Sequence, residues 1–379
     1  MSLILNEEQI LLKDSAVSFV ADRKNLNDLR LRRKNANSAE IDTELWQQIV
    51  SLGWAAIPFG EAYGGLDLGY AELGIVLEEL GRGLLDTPLI SSVVLAGSTL
   101  DIAGSETQKS DLLPAICDGS KLFTLAYQET PRHDPYAVTT SLEQQGDKFT
   151  LNGAKRLVMD GGAADKIIVL ARSSGASGDR AGLSLVLVDR GTPGVTIKNN
   201  LLIDGRRVAN ITFDNVGLDA DSLVGDVGRA GETIDKVLTR AAIALSAEMV
   251  GGSQTAFDMT LEYLKVREQF GAKIGSFQGL KHRAARWFCE LELCKSIVLA
   301  ALRAIDDDDK DLTKLGNACK ARASNTYQLS GKEGIQMHGG IGVTDEHDIG
   351  LYMKSARVTE LMFGDATFHQ DRFATNSGY

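Results

Sequence analysis

A glycine-rich tract, Gln336–Gly342, reads Gln-Met-His-Gly-Gly-Ile-Gly and lies about 65 residues after Arg267–Gly271, which reads Arg-Glu-Gln-Phe-Gly. The Gln336 amide can donate to phosphate oxygens, and glycines, which lack a Cβ atom, let backbone N–H groups approach a pyrophosphate closely. Arg267 offers the forked positive charge that phosphate groups prefer. Together the two segments are typical of a site for a phosphate-bearing cofactor, although such a tract by itself is more often an ordinary turn after a helix.

The composition excludes several classes of protein. Arg and Lys total 40 against 51 Asp and Glu, and the resulting net charge of −11 argues against general binding to nucleic acid or to an anionic membrane. The four cysteines show no Cys-x-x-Cys spacing, and with five scattered histidines no metal-ligand cluster is visible. No apolar run follows a basic N-terminus, and no stretch of 18 or more apolar residues occurs. We therefore expect a cytoplasmic protein with no metal site and with neither nucleic acid nor a membrane as a partner.

Residues 1–122 are predicted to form a helical domain. Asn6, followed by Glu7 and Glu8, is typical of a helix start, because a capping side chain and negative charge both favour the N-terminus. Apolar residues at helical spacing predict further helices around 45–50 and from 69 to about 82.

Residues 123–228 change to the period of β-strands. The segments 166–170, 183–188 and 208–213 are short β-branched or alternating runs. Gly146-Asp147-Lys148 is typical of a hairpin turn. Several such strands at short spacing predict a small antiparallel barrel or sandwich.

Residues 229–379 return to helical periodicity. A helix of more than 30 residues is predicted from Thr233, followed by helices over about 277–304 and 312–337. The acidic run Asp306–Asp309 between the last two is interpreted as a solvated loop. Long antiparallel helices and a short C-terminal one predict a four-helix bundle. The fold class is thus mainly α with a central β domain.

This order of domains resembles the acyl-CoA dehydrogenase family across essentially the whole chain. Six local stretches resemble family motifs in order and spacing, and the last three of them match the most distinctive ones: 54–65, 78–82, 151–153, 267–271, 277–278 and 336–342.

The resemblance implies FAD as cofactor, with its isoalloxazine between the β domain and the bundle and its pyrophosphate and adenosine reached by a neighbouring subunit. It also implies an acyl-CoA substrate, an electron-transferring flavoprotein as acceptor, and a homotetramer or a heterotetramer with a related subunit. Taken alone, Arg267 would be interpreted as a charge at a helix end, and Gln278 is equally explained as a solvated helix residue. The residues that the resemblance assigns to FAD from the neighbouring subunit are Arg267, Phe270, Gln278, Gln336, Gly339, Gly340 and Gly342.

The resemblance also implies the chemistry. The family removes the α-proton of an acyl-CoA thioester with a carboxylate while the β-hydrogen leaves as hydride to flavin N5. In most members the base is a Glu in a Tyr-Glu-Gly-Thr context near the C-terminus. Counting back from Arg372 without a gap places Asp365 at the base position and Thr367 at the position of the family's flavin-contacting Thr. Gly364-Asp365 is alternatively a simple turn, where Asp is common because of its local hydrogen bonds.

A second position for the base lies on the first long helix. Some relatives place the base there, near an Arg that matches Arg240, which is also assigned to substrate binding. The neighbouring Thr239 and Ala241 supply no carboxylate, but Glu248 lies two turns further along in an apolar setting. Such surroundings raise the proton affinity of a carboxylate, so Glu248 is the alternative base, although a structural ion pair is the more common role.

The β domain departs from the family pattern at two places. Where the family has a Thr-Glu-Pro-Gly-x-Gly-Ser-Asp loop, this chain has Gln128–Asp134, and where the family has Trp-x-Thr beside the flavin, it has Leu157–Met159. Two hypotheses follow. The first is an acyl-CoA dehydrogenase resembling the subgroup that handles dicarboxylyl or bulky acyl groups. The second is a catalytically incomplete subunit that lends Arg267 and Gln336 to a companion's flavin.

Overall fold

The computed structural model describes residues 4–34 and 40–379. In chain order the helices are α1 (Glu7–Arg23), α2 (Leu26–Lys34), α3 (Thr43–Ser51), α4 (Tyr70–Gly83), α5 (Ser98–Ala103), α6 (Glu106–Cys117), α7 (Gly231–Val266), α8 (Gln278–Asp306), α9 (Leu312–His338), α10 (Ile349–Leu361) and α11 (Ala366–Asn376). The strands are β1 (Phe123–Ala126), β2 (Ser141–Gln145), β3 (Lys148–Met159), β4 (Lys166–Arg172), β5 (Leu183–Asp189), β6 (Val195–Leu201), β7 (Arg207–Asp219), β8 (Leu223–Val224), β9 (Glu268–Gln269) and β10 (Ala272–Lys273). A π-helical segment, Leu89–Gly97, precedes α5. The predicted fold class, helical segments on either side of a β domain, is confirmed.

Two compact units divide the chain. One comprises residues up to Arg30, Tyr70–Asp86 and Ala242–Tyr379, and the other comprises Leu31–Gly69 and Thr87–Ala241. No helix in the described part of the chain is both long and apolar enough to cross a membrane.

The second unit is built on one sheet that includes β1 to β8. Its strand order is β6-β7-β3-β2-β4-β5-β8, with β1 pairing parallel to β4, and the sheet does not close on itself. The predicted hairpin is present between β2 and β3, where Gln145 pairs with Lys148 and Gly146 has the positive φ of +63° that glycine adopts without strain. The core of the sheet is apolar and fully buried, as the alternation of residues such as Leu142, Phe149 and Leu151 predicts.

In the first unit, helices α4 and α7 contact each other at glycines. A Cβ atom on Gly81 of α4 would lie 2.1 Å from the Glu248 carbonyl oxygen of α7, and one on Gly251 would lie 1.8 Å from the Glu78 carbonyl oxygen. Either side chain would force the helices apart, so α4 and α7 cross at backbone contact.

Helix ends in this unit are capped by side chains. The predicted start of α1 is confirmed, because the Asn6 side chain accepts from the Gln9 backbone N–H at 2.8 Å and the Gln9 side chain accepts from the Asn6 N–H at 3.1 Å. Asp306 was predicted to lie in a solvated acidic loop, and that interpretation is wrong for this residue. It ends α8, and its carboxylate accepts from the backbone N–H groups of Tyr70 and Ala71 at 2.6 and 3.0 Å, so that α8 caps the start of α4.

Candidate cofactor half-site and base turn

The first predicted motif forms an exposed hairpin directly after α7. Strands β9 and β10 pair antiparallel around the hairpin tip, Phe270-Gly271, whose φ angles are +53° and +75°. Two positive φ angles in a two-residue loop are typical of a type I′ turn. A bulky residue adopts this conformation rarely, and the Phe270 side chain is 95% exposed, so the strained tip presents an aromatic ring away from the chain's own core.

The glycine tract begins in the last turn of α9, and its three glycines, which follow the helix, form an open and a packed part. A Cβ atom built on Gly339 or Gly340 would meet nothing within 4 Å, and both residues are exposed. One built on Gly342 would lie 2.8 Å from the Ile335 carbonyl oxygen. The first two glycines therefore leave space for a ligand, whereas the third is required by packing within the tract.

An aromatic stack joins the two motifs. The His338 ring lies 4.5 Å from the Tyr263 ring and 4.2 Å from the His347 ring, measured between centroids, and His338 Nδ1 is 2.7 Å from the Gly334 carbonyl oxygen. Burial lowers the pKa of His338, which keeps the ring neutral for packing. Tyr263 lies one helical turn before Arg267, so the stack brings the C-terminal ends of α7 and α9 together. No sequence motif indicated the stacking of His338 with Tyr263 and His347.

The polar side chains assigned to FAD are available to a ligand. Arg267, Gln278, Gln336 and Thr367 are exposed, and within residues 4–34 and 40–379 no hydrogen bond or ion pair of these four side chains is found. A guanidinium, two amides, a hydroxyl and a glycine surface without Cβ atoms form a donor set suited to the pyrophosphate and polar edges of FAD. The residues present therefore fit the cofactor that the resemblance implies.

The proposed base lies in the base turn, Met362–Asp365, between α10 and α11. Phe363 and Gly364 have φ angles of +57° and +102°, and Asp365 is the N-cap of α11, with one carboxylate oxygen accepting from the Phe368 N–H at 2.8 Å. This is the local hydrogen bond that the alternative interpretation of Gly364-Asp365 as a turn anticipates. A carboxylate has a second oxygen, so capping and proton transfer are compatible, and the assignment of Asp365 as base stays a prediction.

The second histidine near the C-terminus also has a structural role. The buried His369 ring lies with Nε2 2.9 Å from the Phe363 carbonyl oxygen and Nδ1 2.7 Å from the Asn317 side-chain oxygen, and its tautomer decides to which of the two it donates. Burial, together with the nearby Lys320 charge, lowers the pKa of His369 to about 3. His369 is therefore a neutral hydrogen-bonding residue at neutral pH.

Glu248 and Arg240 lie on α7 in different surroundings. Glu248 is buried, and its carbonyl oxygen faces Gly81 of α4. The Arg240 guanidinium lies 3.8 Å from an Asp101 carboxylate oxygen. The roles of Glu248 as alternative base and of Arg240 in substrate binding stay predictions.

In the other unit, the loop that departs from the family pattern is held by a buried ion pair. Lys155 of β3 is 0% exposed, and its ammonium lies 2.6 Å from a Glu129 oxygen and 3.2 Å from the Tyr127 carbonyl oxygen. Glu129 also accepts from the backbone N–H groups of Thr139 and Thr140 at 2.8 and 3.1 Å. Burial raises the pKa of Glu129, but Lys155 and these donors outweigh it and bring the value to about 2.

Strand β3 bulges where the family has its flavin-flanking Trp. Lys155 pairs with Ile211 and Val158 with Ala209, so β3 has one residue more than β7 between these pairs. Leu157 lies in this bulge with a φ of +52°, and its side chain is 41% exposed. Bulges re-aim side chains and are common beside active sites, so Leu157 is presented outward at the cost of backbone strain.

The fold and these motifs define the class of protein. Family models described as the N-terminal, middle and C-terminal domains of acyl-CoA dehydrogenase match residues 6–120, 128–216 and 231–377. The chain therefore belongs to the acyl-CoA dehydrogenase family, as its motifs indicate. It is a flavin-dependent acyl-CoA dehydrogenase, and its cofactor is FAD.

Individual proteins are similar along nearly their full length. Acryloyl-CoA reductase (NADH) of Anaerotignum propionicum is 26% identical over 377 residues, which are 98% of this chain and 94% of the relative. The mitochondrial short/branched chain specific acyl-CoA dehydrogenase of Bos taurus is 25% identical over 374 residues, 97% of this chain and 85% of the relative. Among solved structures, the ChsE4-ChsE5 complex from Mycobacterium tuberculosis shares the fold with a TM-score of 0.88 at 24% identity, over 100% of this chain and 99% of that chain.

Proposed function

We propose that this chain dehydrogenates the α,β bond of an acyl-CoA thioester, with Asp365 as the base that removes the α-proton. Bound FAD supplies the acceptor for the β-hydrogen, which leaves as hydride. The observation that carries the proposal is that the exposed Arg267 and Gln336 side chains and the open glycines lie at the joined ends of α7 and α9.

The residues of this chain have separate tasks in that reaction. Arg267, Gln336 and the Gly339-Gly340 backbone bind the charged part of the cofactor, while the Phe270 ring and Gln278 contact its less charged parts across a subunit boundary. Thr367 contacts the flavin from the first turn of α11, and Arg240 binds the substrate. Glu248 is the alternative base. Electrons pass on to an electron-transferring flavoprotein.

A second candidate function is that of a catalytically incomplete partner subunit in a heterotetramer. It is favoured by the loop at 128–134, where Glu129 is engaged by Lys155 and two threonine amides, and by Leu157 at the position of the family's Trp. The similar ChsE4-ChsE5 structure is a complex of two differently named proteins, which supports the assembly but not the chemistry.

One experiment separates the two candidates. The chain is purified alone, its subunit number is measured by light scattering, and flavin released on denaturation is counted per chain. Bound flavin is then titrated anaerobically with dicarboxylyl-CoA, ring-bearing acyl-CoA and straight-chain acyl-CoA esters. A homo-oligomer with one flavin per chain that bleaches supports the dehydrogenase. The partner-subunit function is supported if the chain alone is colourless and acyl-CoA bleaches the flavin of a related subunit only in a mixed oligomer of the two.

Gly340→Ala is the cleanest probe of the glycine tract. The added methyl group meets no atom of the chain, so the melting temperature should not change. FAD affinity should fall by about tenfold or more, a loss of roughly 1.4 kcal/mol, because the methyl group occupies the space for the pyrophosphate. Flavin fluorescence titration measures the effect.

Lys332→Ala, an exposed substitution on the preceding helix α9, serves as the matched control. Gly342→Ala is unsuitable, because its Cβ would strike the Ile335 carbonyl. Unchanged FAD affinity in Gly340→Ala would remove the glycine tract from the cofactor site.

A further inference from the structure

A buried lysine on α9 lies directly behind the base turn. Lys320 is 0% exposed, and its ammonium donates to the Glu360 carbonyl oxygen at 3.0 Å, to the Gly364 carbonyl oxygen at 2.9 Å and to the Ser324 hydroxyl at 3.1 Å. An ammonium has three N–H donors, so each is matched by one acceptor. Two of the acceptors are backbone atoms at the end of α10 and in the base turn.

The base turn requires such support, because its backbone is strained. Phe363 is a non-glycine residue with a positive φ, and it is buried. Nε2 of His369 on α11 lies 2.9 Å from the Phe363 carbonyl oxygen, and the Lys320 ammonium on α9 donates to the next carbonyl, that of Gly364. Two side chains from different helices thus fix two consecutive peptide units immediately before Asp365.

We propose that Lys320 is a positioning residue for the Asp365 carboxylate, which it orients through the backbone carbonyl of Gly364. This inference rests on the proposed role of Asp365 as base. A base must meet the α-proton within a few tenths of an ångström, and a carboxylate on a turn inherits the precision of that turn. Lys320 supplies that precision from the interior of the bundle.

The charge of Lys320 gives the proposal a signature that support of the fold alone lacks. The titratable groups that face Lys320 are Glu360 on α10, Cys319 on α9, Asp365 in the base turn and His369 on α11. Burial lowers the pKa of Lys320 to about 7, against the opposing effects of Glu360, Cys319 and Asp365. Above that pH the neutral amine keeps only two N–H donors for its three acceptors, so the wild-type rate should fall as the pH rises through about 7, and this limb should be absent without the lysine.

The test compares Lys320→Met with Ser324→Ala. Met keeps the length and apolar stem of Lys but frees the Gly364 and Glu360 carbonyls, whereas Ser324→Ala removes the acceptor on α9 and leaves both backbone bonds. In Lys320→Met we expect the rate constant for flavin reduction to fall by about 10²-fold, with KM within about twofold and without the fall in rate above about pH 7. Ser324→Ala should retain the wild-type rate and profile.

Hydrogen exchange supplies a readout that needs neither flavin nor substrate. Peptides covering 362–368 should exchange faster in Lys320→Met and not in Ser324→Ala, and Lys320→Gln repeats the comparison if the Met variant does not fold. If no acyl-CoA bleaches the wild-type flavin, the proposed function is refuted. The exchange result then tests by itself whether Lys320 holds the base turn. Active wild type with equal rates, profiles and exchange in both variants overturns the role of Lys320.

Discussion

Asp365→Asn is expected to slow anaerobic flavin reduction by about 10²–10⁴-fold while leaving the melting temperature unchanged. The amide of Asn cannot accept the α-proton. Its oxygen can still accept the Phe368 N–H, and Asn ranks beside Asp as an N-cap. The substitution therefore removes the base and keeps the cap. Stopped-flow absorbance of the bound flavin, with thermal unfolding of the same sample, measures both effects.

Asp365→Ala is the matched comparison, because it removes the cap together with the carboxylate. It should show the same loss of rate and, in addition, a destabilisation of about 1 kcal/mol. If Asp365→Asn reduces its flavin at the wild-type rate, Asp365 is a capping residue and no more. Glu248→Gln then becomes the decisive variant, and wild-type rates in both would show that neither carboxylate is the base.

Local sequence signals predicted the long helices and the hairpin between β2 and β3 because those elements depend on neighbours in the chain. The apolar period from Thr233 predicted a helix of more than 30 residues, and α7 is 36 residues long. Asn6 and the Gly146 turn likewise depend on contacts within a few residues. The family motifs at 267–271 and 336–342 could be recognised for the same reason, since each is a continuous segment.

The features that hold the site together could not be predicted in this way, because they join distant segments. Lys155 meets Glu129 across 26 positions, and Lys320 meets Gly364 across 44. In the sequence a single lysine indicates an exposed side chain, since burial of its charge is costly without partners. The partners of the two lysines are backbone carbonyls, one hydroxyl and one carboxylate, which composition does not reveal. The position of Lys320 among small residues of α9 nevertheless indicates a buried side chain.

The second large effect is expected from Glu129→Gln, which leaves the buried Lys155 ammonium without its counter-charge. Breaking a buried ion pair from one side costs about 3–5 kcal/mol, and urea unfolding at pH 7 measures the loss. Asp189→Asn is the control. Asp189 forms an ion pair with Lys166 at the ends of β5 and β4 in the same sheet, and its side chain is largely exposed. That loss should stay below about 1 kcal/mol.

The pH dependence of unfolding identifies the cause of that loss. In the wild type the pKa of Glu129, about 2 when folded, lies below its usual 4.5, so its contribution is complete above pH 4.5 and is lost as the pH falls toward 2. Burial lowers the pKa of Lys155 to about 8, against the raising effect of Glu129, and the unfolded chain therefore binds more protons between pH 8 and 10.5. Stability rises with pH through that window.

In Glu129→Gln the raising effect on Lys155 is absent, so the window in which stability rises with pH extends below 8 and across neutrality. The variant should recover stability between pH 6 and 9 more steeply than the wild type. Glu129→Gln combined with Lys155→Met removes the buried charge, while the single Gln oxygen can still accept from one of the Thr139 and Thr140 amides, which Glu129 binds through different oxygens. The double variant should therefore regain most of the lost stability and lose the steep pH dependence. A double variant as unstable as Glu129→Gln alone would show that the carboxylate acts through the threonine amides, and that the ion pair is not what fixes this loop.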